Sequence, residues 1–207
     1  MSPGEVEALF TREDGTYLFA RWGRPIAPVV FGVDDASLAV IKGALEAVVV
    51  LAGHSMAETD PELGSNFMMF YFRDWSELPE VDGLDRLVPD LVPLVARLEQ
   101  EQASQYRIFR FDESGAIKAC FVFLRMDGEM GAVPVETLAL GQVVQSALLW
   151  SERAFRDRSP LAMAGSRTIL RPDIAAVIRA GYDPVLPDVS SDASHALRLS
   201  ARVGMNR

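Results

Sequence analysis

Residues 67–72, FMMFYF, are continuously apolar or aromatic. A strand with one wet face alternates apolar and polar side chains, whereas an unbroken run fits a strand covered on both faces. Six residues make a short helix, and the aromatic content favours a strand. Met and aromatic side chains also line adaptable ligand pockets, but core is the favoured reading of this stretch.

The preceding residues supply helix. In DDASLAVIKGALEAVVVLAGH (34–54), Leu38, Ile41, Leu45, Val48 and Ala52 recur at helical spacing. Asp34 or Asp35 suits the N-cap, and Gly53 sits where a left-handed C-terminal cap belongs. Gly43 costs such a helix up to about 1 kcal/mol relative to Ala, which suggests a close packing contact. Upstream, Pro25 and Pro28 bracket PIAPVVFG and fit an edge strand. Residues 34–72 therefore suggest a β-α-β unit in a mixed sheet.

Downstream, residues 82–102 are helical by composition, and Pro89 and Pro93 divide them into a kinked or two-part element. Residues 105–127 form a strong hairpin signal around DESG, with Arg107 and Arg110 interrupting the first run. A helix is expected within 133–150, VPVETLALGQVVQSALLW, an irregular segment at 159–170 and a short helix with a turn at 171–187. The organisation expected is an N-terminal arm or short helix (1–16), a single core domain (17–187) and a polar, mobile tail (188–207). The fold class expected is α+β or α/β, with a mixed sheet flanked by helices.

A formal charge of -9 disfavours nucleic acid and anionic membranes as partners, although a sum leaves room for a local basic patch. No apolar stretch is long enough to span a membrane. The start, MSPGEVEALFTRED, lacks the basic and apolar segments of a secretory signal, so the chain as given reads as cytoplasmic. A secreted protein whose leader had been removed would read the same. The 49% apolar content leans weakly toward self-association or a protein partner.

Few catalytic chemistries survive. A lone cysteine, Cys120, allows no internal disulfide and lies in an apolar run, as a small buried hydrophobe does. Two histidines, His54 and His195, are too few for an ordinary zinc site, and no metal or other cofactor is expected. Asp127 and Glu129 in DGE read as a solvated turn rather than an oxygen-ligand site for calcium or magnesium. There is no nucleophile elbow and no phosphate loop. His54 beside Ser55 is not a dyad, since catalysis needs orientation rather than adjacency. Asp74, Glu129, Glu136 and Asp183 stay open as carboxylates for acid/base work. Arg153, Arg156 and Arg158, interspersed with Glu152 and Asp157, read as a salt-bridged surface.

Three pieces, RWGRPI (21–26), GQVVQSAL (141–148) and YDPVL (182–186), occur in suggestive order. Together they resemble an uncharacterised proteobacterial domain-of-unknown-function family, many of whose members look like secreted proteins or lipoproteins. That family has an early Arg-Trp/Phe-x-x-Pro-Ile strand and a helix reading roughly Cys-x-His-Glu-Glu-x-x-Gln. A Tyr-Asp-Pro-x-Leu turn follows. Its His-Glu helix looks like half of a zinc-protease motif. Position by position, Gln145 matches the helix glutamine, Leu140 falls on the His, and Gly141 and Gln142 fall on the two glutamates. The resemblance spans about residues 17–190 and implies a divergent, inactive relative on a zincin-like scaffold.

The expectation is a non-enzymatic binding or protein-interaction domain. The alternatives are a hydrolase using carboxylates or a recruited metal, and a carrier with an apolar pocket beside FMMFYF. Candidate binding residues are Arg21, Trp22, Glu136, Gln142 and Gln145, with no catalytic residue and no metal ligand assigned.

Overall fold

A computed structural model describes residues 1–205. Its centre is a four-stranded sheet in the order β2-β3-β5-β4, formed by β2 (Pro28–Phe31), β3 (Phe67–Phe72), β4 (Gln105–Phe111) and β5 (Ile117–Arg125). β2, β3 and β5 run parallel, and β4 closes one edge antiparallel to β5. The expected β-α-β unit is present: β2, then α2 (Asp35–Ala52), then β3. Pro28 opens an edge strand, where a missing amide donor costs no ladder bond.

The unbroken apolar run of β3 is explained by two cores. Phe67 and Met69 face one side with Cys120, Val122 and Leu124 of β5. Met68, Phe70 and Phe72 face the other with Phe121 and Phe123. The first side is covered by α2, by α5 (Val135–Ala147), by α6 (Pro172–Gly181), and by the terminal helices α1 (Pro3–Ala8) and α7 (Ser194–Met205). The second is covered by a 3-10 segment at Trp75–Glu80, α3 (Leu84–Leu87) and α4 (Leu91–Gln100). The result is a mixed sheet flanked by helices in an α+β fold. Truncating a fully buried ring such as Phe121 removes roughly 3–5 kcal/mol.

Local chemistry sets the element ends as read. Asp34 caps α2 by accepting from the Ser37 amide at 2.7 Å, and Gly53 closes it at φ 66°. Pro89 separates α3 from α4, and Pro93 falls in the first turn of α4, where its absent amide is not needed.

Four expectations are corrected. The tail expected at 188–207 is structured over its described residues, 188–205, with 206–207 outside them: β8 (Val189–Ser190) pairs with β1 (Phe19–Ala20), and α7 buries His195, Ala196, Leu199 and Val203. Their wide spacing hides an apolar stripe in a polar composition. Of the arm or short helix expected over 1–16, the short helix forms as α1 and no separate arm does, because Val6, Leu9 and Phe10 join the main core. Residues 159–170 are not irregular but contain a hairpin, β6 (Leu161–Ala164) and β7 (Arg167–Leu170), turned at Gly165 with φ 63°. Leu-Ala-Met-Ala has little β preference, so only the turn marked it. Gly43 makes no close contact, since a Cβ there would meet nothing within 4 Å.

Two predictions follow from the fold. Gly43→Ala raises stability by up to about 1 kcal/mol in urea unfolding, because the exposed helix gains propensity and loses no packing. A neutral or destabilising result would reveal a contact that the fold lacks. The second concerns His195, fully buried, with Nδ1 2.8 Å from the Tyr17 hydroxyl and Nε2 without a partner. Burial, reinforced by Arg198, lowers its pKa from 6.5 to about 4. On acidification the unfolded chain therefore takes up this proton first. The contribution is intact above about pH 6.5, falls through the window down to pH 4, and reaches on the order of 3 kcal/mol. Urea midpoints across that window should drop in the parent and drop less in His195→Gln. Equal slopes would place the acid sensitivity elsewhere.

Candidate functional site

The helix expected within 133–150 resolves into α5, whose C-terminal end accepts hydrogen bonds from three separate segments. The last carbonyls of a helix have no partner within it and, when buried, no water. Three aromatic donors serve them. The Trp22 indole donates to the Ser146 carbonyl at 2.9 Å, the Tyr182 hydroxyl to Ala147 at 2.7 Å, and the Trp150 indole to Val144 at 2.9 Å. Arg21 pairs with Asp188 and lies over the Tyr182 ring, 5.6 Å from its centroid. Arg21 and Trp22 are thus holding residues, and the three motifs picked out in the sequence meet at one helix end.

With that end fixed, one side of α5 lies against the edge strand. Side chains alternate along β4, so Gln105, Arg107 and Phe109 point toward α5, while Tyr106, Ile108 and Arg110 point toward α4. Gln142 is buried. Its carbonyl oxygen accepts from Arg107 Nη2 at 2.5 Å, and its amide donates to Gln105 at 2.8 Å. Gln145, one turn on, lines an open cleft of about 460 Å³ between β4 and the end of α5. Arg12, Arg156, Trp150 and Phe155 complete its walls with Glu152. Glu136 is not part of it; it stands exposed in the first turn of α5, away from both glutamines.

The charge of Arg107 is the unusual element. Its Nε is sealed from solvent and makes no hydrogen bond, its Nη2 is held by a neutral amide, and it forms no ion pair among the described residues. Burial pushes its pKa down, opposed only by Cys120. Cys120 cannot neutralise it, because burial lifts that thiol to about 12. Nη1 is the guanidinium nitrogen that is neither bonded among the described residues nor sealed, and Arg107 lines the cleft. Arg156 is paired with Glu13, and Glu152 accepts the Glu13 amide. Arg12 makes no side-chain hydrogen bond or ion pair among the described residues, although its charge helps hold the Glu152 carboxyl below the usual range after the backbone amides of Glu152 and Glu13. Three arginines against one glutamate line this cleft in a chain of formal charge -9.

The carboxylates considered for acid/base work are occupied elsewhere or isolated. Asp74 caps the 3-10 segment through Ser76, Asp183 pairs with Arg202, and Glu129 and Glu136 are exposed. No three His, Cys, Asp or Glu side chains come together as a metal site among the described residues. Leu140 and Gly141 offer no ligand atom, and Gln142 is committed to Arg107 and Gln105, so these positions do not fit a zinc ion. His54 is a satisfied helix-end residue, its Nε2 2.9 Å from the Arg24 carbonyl.

The cavity beside Phe67, lined also by Trp22, Val143 and Tyr182, amounts to about 10 Å³, room for one water at most. Exposed apolar side chains are scattered singly: Val50 on α2, Val92 on α4, Val185 in the turn after α6 and Leu197 on α7. No helix among the described residues is long and apolar enough to cross a membrane.

Sequence reading singled out Gln142 and Gln145 but missed Arg12, Gln105, Phe109 and the cleft-facing role of Arg107. The available signal was period two: Arg107 occupies an inward position in a strand whose partner is apolar from Ala119 to Leu124. Arg12 gave no signal, since it arrives from a distant turn. No family model, no curated protein and no solved structure matches the chain.

The junction makes its own prediction. Trp22→Phe and Tyr182→Phe each strand a carbonyl at the end of α5, and each should cost about 1–3 kcal/mol in urea unfolding. If both variants unfold with the parent, the caps are dispensable and α5 is held by packing alone.

Proposed function

We propose that this chain is a non-enzymatic binding domain and that the cleft between β4 and the end of α5 receives its ligand. The observation that carries this reading is the convergence of Arg107, Arg12 and Gln145 on an open cleft with aromatic walls, with no ion pair among the described residues to consume either of those two arginines. Ligand sites are commonly clefts of this size, largely apolar, with a few placed polar groups. A hydrolase reading lacks a paired acid and base, since the carboxylates of the fold serve caps and ion pairs. A carrier reading lacks volume at Phe67. The resemblance to a metalloprotease-like family fits the same proposal, with Leu140, Gly141 and Gln142 replacing the groups that would hold zinc.

A thermal-shift screen of neutral, anionic and cationic small molecules tests this reading, alongside metal analysis and ester and peptide turnover assays. The expected outcome is a saturable shift with one chemical class that Gln145→Leu reduces, without turnover. Stoichiometric zinc, or hydrolysis that Gln142→Ala abolishes, would overturn the reading.

A further inference from the structure

We propose that the ligand of this cleft is a small organic carboxylate with a flat apolar body, its carboxylate accepting from Nη1 of Arg107 and its body lying between Phe109 and the Trp150–Phe155 pair. This rests on the binding reading above and names the chemistry that the reading leaves open.

Three features point to that class. First, Arg107 presents a fixed positive charge with an unused donor and no counter-ion among the described residues. A carboxylate supplies the missing anion in the planar form that guanidinium recognises. Its second oxygen lies within a wall that also carries Arg12 and Gln145. Second, Glu152 stands in the same cleft with its carboxyl held below the usual range, so it is ionised at neutral pH. A fixed negative charge tolerates a monoanion more readily than a phosphate dianion. Third, the remaining wall is aromatic and rigid. Trp150 is pinned by its bond to Val144, stacks on Phe10 at 5.3 Å and meets Phe155 edge-on at 5.1 Å. A ring pinned in this way offers an apolar face without an ordering cost on binding. The bottom of the site is equally fixed, because Gln142 is held between Arg107 and Gln105.

The probe is phenylacetate, titrated into the full chain with Trp fluorescence and calorimetry as readouts. Phenylacetamide, its neutral isostere, and inorganic phosphate are the comparison arms. The expected result is saturable binding of phenylacetate, at least about 10-fold weaker phenylacetamide binding, and no competition by phosphate. Arg12→Gln and Arg107→Met should each weaken phenylacetate by about 10-fold or more. Trp150→Phe should remove the fluorescence change and keep the heat signal. Arg12→Gln carries the test by itself if Arg107→Met does not fold, because Arg12 makes no side-chain bond among the described residues. Equal binding of phenylacetamide, or displacement by phosphate, overturns the carboxylate assignment while leaving a binding cleft in place. No binding by phenylacetate, together with a screen in which no compound responds to Gln145→Leu, overturns both readings.

Discussion

The C-terminal end of α5 sets the position of nearly everything that could act. Its last carbonyls accept from three aromatic donors, the Trp22 bond to Ser146 buried and the Trp150 and Tyr182 bonds partly so. Those donors come from residues 22, 150 and 182, so one helix end binds the first strand segment, the chain that follows α5 and the turn after α6. Indole and phenol suit this task because each couples a donor to a large apolar body that packs while it bonds. The bonds are individually modest, about 1 kcal/mol each. Leaving a buried carbonyl unmade is the larger cost, and that asymmetry is what holds the three segments to α5.

A fixed α5 matters because the neighbouring strand is an edge. β4 pairs on one side only, and its alternation sends Gln105, Arg107 and Phe109 toward α5. Inner strands such as β3 and β5 have no such freedom, since both of their faces are committed to packed cores. Polar side chains can therefore enter the layer beside α5 from β4. They require an answering polar group on α5, which Gln142 supplies. The buried glutamine and the inward arginine explain one another.

Much of the fold was legible because its signals are local. The apolar run of β3, the caps of α2, the DESG hairpin and the proline break before α4 each state their structure within a few residues. The missed elements depend on distant partners. β1 and β8 are two residues long and exist only as a pair, and α7 is polar in composition until its stripe meets α1 and α6. The candidate site was half legible for the same reason. Gln142 and Gln145 share a helix face at a spacing the sequence states outright. Arg12 reaches them from a turn far along the chain, and nothing near Arg12 announces it. Arg21 and Trp22 were noticed correctly and given the wrong role, because a motif in sequence does not say whether its residues hold the fold or touch a ligand.

The charge balance of the molecule gives the cleft its character. A chain of formal charge -9 has carboxylates in excess, yet none pairs with Arg107. The reason lies in where its aspartates are spent. Asp34, Asp60, Asp74, Asp112, Asp127 and Asp192 each accept from backbone amides in caps and tight turns. Amide bonds of this kind help hold those carboxyls below their usual range. An acid placed on α5 at position 142 would neutralise Arg107 and stabilise the fold, and a neutral amide stands there instead. That amide orients the guanidinium while leaving its charge unspent, so the positive potential of the cleft is available to a group that arrives from outside.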